Sequence, residues 1–163
     1  MSTYKEVHYM QIVYTGQPIV PHDLSIFLAG PSPRDKETKS WRPEALKILS
    51  LFKFQGVVYV PEYGDNPPTT GPYTFQCEWE WEALHTVKKI VFWIPRDLNV
   101  LPAFTTNIKF GFYVSSGKVV YGRPIGSPKN DYLDWLYEKV TGNKPVTSLE
   151  GVLHQACFSN ASK

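Results

Sequence analysis

Residues 25–34 read SIFLAGPSPR, and the change of character in the middle of this stretch sets the fold. Ser25 to Ala29 form an apolar run without polar alternation, the pattern of a strand buried on both faces, and Gly30-Pro31 ends it. Three further runs share that character: Val57–Val60 (VVYV), Ile90–Ile94 (IVFWI) and Lys118–Tyr121 (KVVY). Between them the spacing predicts helices over 40–54, 74–88 and 106–116, with another over 131–140. Strand, helix and strand repeated in this way predict a parallel sheet of about five strands covered by helices on both faces, a doubly wound α/β fold. Glu6–Tyr14 (EVHYMQIVY) reads as an edge strand or hairpin arm, with 16–22 as its turn. A last helix begins near Thr147, where Thr147-x-x-Glu150 has the form of a capping box, and the chain beyond Phe158 is expected to fray. The whole, 1–163, reads as one domain, with 1–24 as N-terminal edge strand and turn and 144–163 as C-terminal helix and tail.

Composition narrows the function classes. A chain of 163 residues is long enough for a full core, and no apolar run approaches the roughly 20 residues of a membrane span. The start, MSTYKEVHYM, has neither the basic head nor the apolar segment of a secretory signal, so a cytoplasmic protein is expected. Cys77 and Cys157 are its two cysteines, which excludes a disulfide framework and a CxxC metal site. His8, His22, His85 and His154 show no metal-ligand spacing, and no metal is expected. A net charge of +2, without a basic run interleaved with aromatics, argues against nucleic acid as partner.

In open parallel sheets ligands sit beyond the carboxyl ends of the strands, so the segments after each run carry most weight. They are Gly30-Pro31-Ser32-Pro33-Arg34, Pro61-Glu62-Tyr63-Gly64-Asp65, Pro95-Arg96-Asp97 and Gly122-Arg123-Pro124, each with a proline and a charge. The first lacks the glycines of a Walker or Rossmann cradle, and no cofactor is expected, but it offers Ser32, Arg34 and backbone N–H groups to an oxygen-rich ligand.

Two helices hold the residues that suggest chemistry. In CEWEWEALHTVK (77–88), Cys77, Trp81, Leu84 and Val87 fall on one face at helical spacing, the expected core stripe, and Glu80 lies inside it. A carboxylate there costs several kcal/mol unless paired, hydrogen-bonded or reached by a ligand, which makes Glu80 a site candidate, or else a buried partner of Arg34, Arg42 or Arg123. In TTNIKFGFYVSSGK (105–118), Thr106 reads as an N-cap, with Ile108, Gly111, Phe112 and Ser115 on one face. Lys109 then falls at the third helical position, where the positive helix end disfavours a cation by roughly 0.3–1 kcal/mol.

With FLAGPSPR (27–34), SWRPEAL (40–46), VYVPEYGD (58–65), QCEWEWEAL (76–84), IVFWIPR (90–96), LPAFTTNIKFGFY (101–113) and GKVVYGRP (117–124) in view, the chain resembles the nucleoside 2-deoxyribosyltransferase-like family. That resemblance implies a flavodoxin-like sheet and a homodimer or higher oligomer with sites near subunit contacts. It also implies a glutamate that attacks the anomeric carbon of a nucleoside and forms a glycosyl-enzyme ester. Carried over by motif, that glutamate falls at Lys109, and a second family acid falls at Lys88. Glu80 corresponds to an acid that contacts the sugar hydroxyls or a base, and Trp41, Trp79, Trp81 and Tyr63 offer stacking surfaces. The loops contribute Gly30, Pro31, Ser32 and Arg34, then Glu62 and Asp65, then Arg96. Thr106 and Asn107 join Lys109 at the head of the helix.

Two functions follow. One is a protein that binds or sequesters a nucleoside, nucleotide or nucleotide-derived signal, its transfer chemistry lost because Lys109 replaces the nucleophile and offers a contact for an anion. The other is an N-glycosidase or deoxyribosyltransferase in which Glu80, or Glu78, activates water directly. A plain partner-binding module has no specific residue in its favour.

Overall fold

The structure is a computed structural model and describes residues 9–64 and 71–159. The four apolar runs become strands within a residue of their expected limits, β2 (Ser25–Ala29), β3 (Val57–Val60), β4 (Lys89–Trp93) and β5 (Val119–Gly122), whereas β1 (Gln11–Tyr14) covers only the end of the expected segment 6–14. The helices are α1 (Arg42–Leu51), α2 (Tyr73–Thr86), α3 (Phe104–Tyr113), α4 (Asp131–Thr141) and α5 (Leu149–Phe158), with a 3-10 turn, Val114–Ser116, after α3. The strands lie in the order β1-β3-β2-β4-β5, and every pairing is parallel. This is the flavodoxin-like α/β arrangement. β1 is an edge strand and not a hairpin arm, because it runs parallel to β3. Residues 6–8 of its expected segment and the tail beyond 159 lie outside the described residues.

Alternation along the strands divides the core in two. Phe27, Ala29, Val57, Tyr59, Ile90, Phe92 and Tyr121 face α2, α3 and α4, meeting Trp79, Ala83, Phe110 and Tyr137. Ile26, Leu28, Val58, Val60, Val91 and Trp93 face α1 and α5, meeting Ala45, Leu49, Val152 and Leu153. Burial on both sides is why these strands read as continuous apolar runs.

Two helix starts differ from the sequence reading. α5 is capped by Ser148, whose hydroxyl accepts from the Gly151 N–H, and not by Thr147. α3 begins at Phe104, so Thr106 is its third residue and Lys109 its sixth. The start is moved back because Ala103, in the left-handed conformation at φ 61°, accepts the first helical bond from the Asn107 N–H. Arg96 fixes that corner by donating to the Pro102 carbonyl and to Asn107 Oδ1. Lys109 therefore lies beyond the first turn, where a helix end acts most strongly, and the expected penalty falls away.

Chain direction reverses beside β2: the path goes from β2 out to β3 and then crosses back to β4 on the other side. At this point Gly30 leaves β2 so close to its neighbour that a Cβ would sit 2.2 Å from the Trp93 carbonyl oxygen and 2.8 Å from the Trp41 ring, so only glycine fits. The loop after Gly30 is held by Arg42, which is 1% exposed. Its guanidinium donates to the carbonyls of Leu28 (2.9 Å) and Gly30 (2.8 Å), to Ser32 Oγ (2.9 Å) and to Glu62 Oε1 (3.0 Å). Replacing Arg42 with Met strands several buried acceptors and one carboxylate, and is expected to destabilise the fold by roughly 3–5 kcal/mol. Glu62→Gln, which keeps an acceptor, should cost only about 1 kcal/mol. Urea unfolding of the two variants checks the order, and a smaller loss for Arg42→Met than for Glu62→Gln would contradict it.

Candidate functional site

A cavity of about 570 Å³ opens beyond the carboxyl ends of β2 and β4, between the loop 30–34, one side of α2 and one side of α3 from Phe104 to Tyr113. That volume suits a small organic ligand. Gly30, Pro31, Ser32 and Arg34 line it from the loop, Glu80 from α2, and Thr106 and Lys109 from α3, so these sequence candidates come together. Five others do not reach it. Trp41 is buried against the loop, its Nε1 donating to the Pro31 carbonyl. Glu62 is held by Arg42 and by the Ser40 hydroxyl. Arg96 is buried, binding Asn107 and Asn130, which accounts for Asn107 as well. Tyr63 lines an adjoining hollow that shares Tyr73 and Gln76 with the main cavity. Asp65 lies outside the described residues.

The centre of the cavity is an ion pair. Lys109 Nζ donates to Glu80 Oε2 at 2.6 Å, and Gln76 Nε2 donates to Glu80 Oε1 at 3.0 Å. Glu80 is thus paired, but with Lys109 and not with Arg34, Arg42 or Arg123; Arg123 is held instead by Asp134 at 2.6 Å. Side chains of the pair are 14% and 19% exposed, for Glu80 and Lys109 in turn, which leaves both within reach of a ligand.

The expected core stripe of α2 divides: Leu84 and Val87 lie in the core, while Cys77 and Trp81 form part of the cavity wall. Trp79, Ala83 and Leu84 are the buried residues of α2, whereas Cys77 is exposed and Trp81 is 54% exposed. Trp79 packs on Phe27 and Tyr59 and donates from Nε1 to the Gln17 carbonyl, so it belongs to the core. α3 behaves alike: Thr106, Phe110 and Tyr113 are buried, while Ile108 and Phe112, expected inside, are 72% and 60% exposed. The rings of Trp81 and Phe112 lie 5.7 Å apart, and Phe104, also in the lining, has the Arg34 guanidinium 6.0 Å from its centroid. Helical spacing finds apolar faces but does not tell a core face from a ligand face, which is why Tyr73, Phe104, Ile108 and Phe112 escaped notice as wall residues. The signal was present: each helix carries more apolar residues than one core-facing stripe accommodates.

Electrostatics at the site favour an anion. Among the described residues of the lining, Arg34 and Lys109 against Glu80 leave one excess positive charge. α3 has no side-chain cap and no acidic residue in its first turn, and its opening residues Phe104, Thr105 and Thr106 line the cavity. A helix start of this kind presents free N–H groups. Burial, and then the negative charge of Glu80, pushes the Tyr113 phenol up, so it remains a hydrogen-bond donor at neutral pH. Tyr73 is pushed up as well, by burial first and then by Cys77 and Glu80. Among the described residues no group of three or more His, Cys, Asp and Glu is placed to hold a metal ion, and no helix is long and apolar enough to cross a membrane.

A family model described as nucleoside 2-deoxyribosyltransferase like matches residues 23–125, which run from just before β2 through β5 and include every wall of the cavity. Among curated proteins nothing matches the chain.

Two measurements test the geometry. Burial pushes the Cys157 thiol up to about 11, whereas Cys77 faces the open cavity. At pH 8, with about a thousandth of Cys157 ionised, a disulfide reagent should titrate Cys77 rapidly and Cys157 only on unfolding; equal rates would contradict the placement. A double-mutant cycle of Lys109→Met and Glu80→Gln should give a favourable coupling of about 1 kcal/mol, as expected for a half-buried pair in contact. Strict additivity would mean that the pair is not formed.

Proposed function

The chain belongs to the nucleoside 2-deoxyribosyltransferase-like family, and from that premise we propose that it binds a nucleoside or nucleotide in the α2–α3 cavity without carrying out efficient deoxyribosyl transfer. The observation that carries this reading is the Lys109–Glu80 ion pair. By motif, Lys109 stands where the resemblance calls for a glutamate nucleophile. An ammonium there repels the positive charge that develops on the sugar in glycosidic cleavage, and it has no oxygen with which to form the glycosyl ester. Loss of a nucleophile alone lowers turnover by several orders of magnitude.

Binding is better served than catalysis by the remaining groups. Trp81 and Phe112 offer aromatic faces to a base, and Glu80 offers a carboxylate to sugar hydroxyls. Arg34, Lys109 and the uncapped start of α3 suit a phosphate or a similar acidic group. The alternative, in which Glu80 activates water for N-glycosidic hydrolysis, must first free a carboxylate whose two oxygens are held by Lys109 and Gln76. Glu78 lies on the adjoining hollow and not on the main cavity. In this reading the ligand is sequestered in the cytoplasm by a homodimer or higher oligomer, whose contacts cover part of the apolar surface that Ile108 and Phe112 expose.

A panel of nucleosides and nucleoside 5′-monophosphates is expected to raise the melting temperature, a ligand at 100 times its Kd adding about 2.7 kcal/mol of stability. Chromatography should recover the compounds intact. Trp81→Ala should weaken binding by about 1–3 kcal/mol through lost stacking. The proposal fails if no member of the panel shifts the melting temperature, or if free base is released at a rate that Glu80→Gln abolishes.

A further inference from the structure

We propose that Lys109 is an imine-forming amine, and that the cavity captures the open-chain aldehyde of a small sugar by reversible condensation with Lys109 Nζ. The proposal goes beyond the binding reading, because C1′ of a nucleoside is held in its glycosidic bond and has no open-chain aldehyde; the ligand here is a free reducing sugar, placed near Glu80 where that reading places the sugar. Three features of the cavity lead to it. Among the described residues Lys109 is the one amine in the lining, and its side chain is 19% exposed, which leaves it open to a ligand. Its ammonium touches a proton acceptor, Glu80 Oε2 at 2.6 Å, whose other oxygen Gln76 holds at 3.0 Å. Tyr113, four residues beyond Lys109 and so on the same side of α3, brings a protonated phenol to the same cavity.

Each group has a definite part. Glu80 takes a proton from the Lys109 ammonium, and the free amine lone pair forms a C–N bond to the aldehyde carbon. The carbonyl π electrons move to oxygen, which takes the proton of Glu80-H, with the Tyr113 hydroxyl as a supporting hydrogen-bond donor, to give a carbinolamine protonated on nitrogen. Glu80 then takes a second proton from that nitrogen and delivers it to the hydroxyl, which leaves as water while the nitrogen lone pair forms the C=N bond of the protonated imine. The sum is amine plus aldehyde giving imine plus water, and no oxidant or reductant takes part. The cation that forms faces Glu80, which replaces the original ion pair with an equivalent one. An exposed lysine lacks both the acceptor and the aromatic wall that Trp81, Phe104 and Phe112 set beside Lys109.

The test incubates the purified full chain with 2-deoxyribose or glyceraldehyde and cyanoborohydride, which reduces imines to stable secondary amines, and follows labelling by intact mass and peptide mapping. Lys109 is expected to be labelled well ahead of the exposed Lys36, Lys39 and Lys129. Glu80→Gln should slow that labelling by roughly 100-fold, the ordinary share of a general acid–base group. Lys109→Arg, which keeps a cation opposite Glu80 and therefore the fold, should lose the site-specific adduct and retain the melting temperature. Labelling of Lys109 no faster than of the exposed lysines would overturn the proposal, as would an unchanged rate in Glu80→Gln. The binding reading fails separately: nucleotide stabilisation without an adduct removes only the imine, and an adduct without nucleotide stabilisation removes only the nucleotide.

Discussion

Arg42 is the constraint from which the rest of the molecule follows. A fully buried guanidinium tolerates no unsatisfied donors, and this one gathers the end of β2, the Ser32 hydroxyl and the carboxylate of Glu62 after β3 around itself. Burial lowers its pKa, but Glu62 opposes that effect and the group remains charged. Because its partners are backbone carbonyls at the reversal point of the sheet, it fixes the path of the chain where a ligand crevice opens. The loop 30–34 is thereby held on its inner side, Ser32 included, and presents Arg34 on the other.

A second buried arginine does the same for the opposite wall. Arg96 joins the end of β4 to the start of α3 and to Asn130 before α4. The two arginines that the sequence offers after strands as candidates for ligand contact divide accordingly: Arg34 reaches the cavity, and Arg96 builds it. What is left for chemistry is the contact between α2 and α3, where a carboxylate and an amine meet across an aromatic-walled space. The proposed binding of an anion, the proposed loss of transfer and the proposed condensation with an aldehyde all turn on the state of that one amine.

Much of the architecture was legible because parallel strands buried on both faces leave uninterrupted apolar runs, which Ser25–Ala29 and Val57–Val60 show plainly. The starts of α3 and α5 were less legible. A cap is chosen by tertiary contacts among neighbouring hydroxyls, and Ala103 with Arg96 displaced Thr106, just as Ser148 displaced Thr147. In the site, Glu80 stood out as a charge on an apolar stripe and Lys109 as a cation at an expected helix start, but their mutual contact spans 29 residues and no local pattern reports it. Trp79 and Trp81 show the limit most clearly. They are two residues apart on the same helix, one in the core and the other on the cavity wall, and composition gives no reason to separate them.

The attraction between Lys109 and Glu80 also acts as an evolutionary ratchet. A glutamate at position 109 would set two carboxylates against each other where an ion pair now holds α2 to α3, raising the pKa of one or pushing the helices apart. Recovery of a carboxylate nucleophile therefore requires compensation at Glu80 or Gln76 as well, and single substitutions along that route pass through a less stable protein. Epistasis of this kind gives a lineage a reason to keep the lysine whether or not it contacts a ligand.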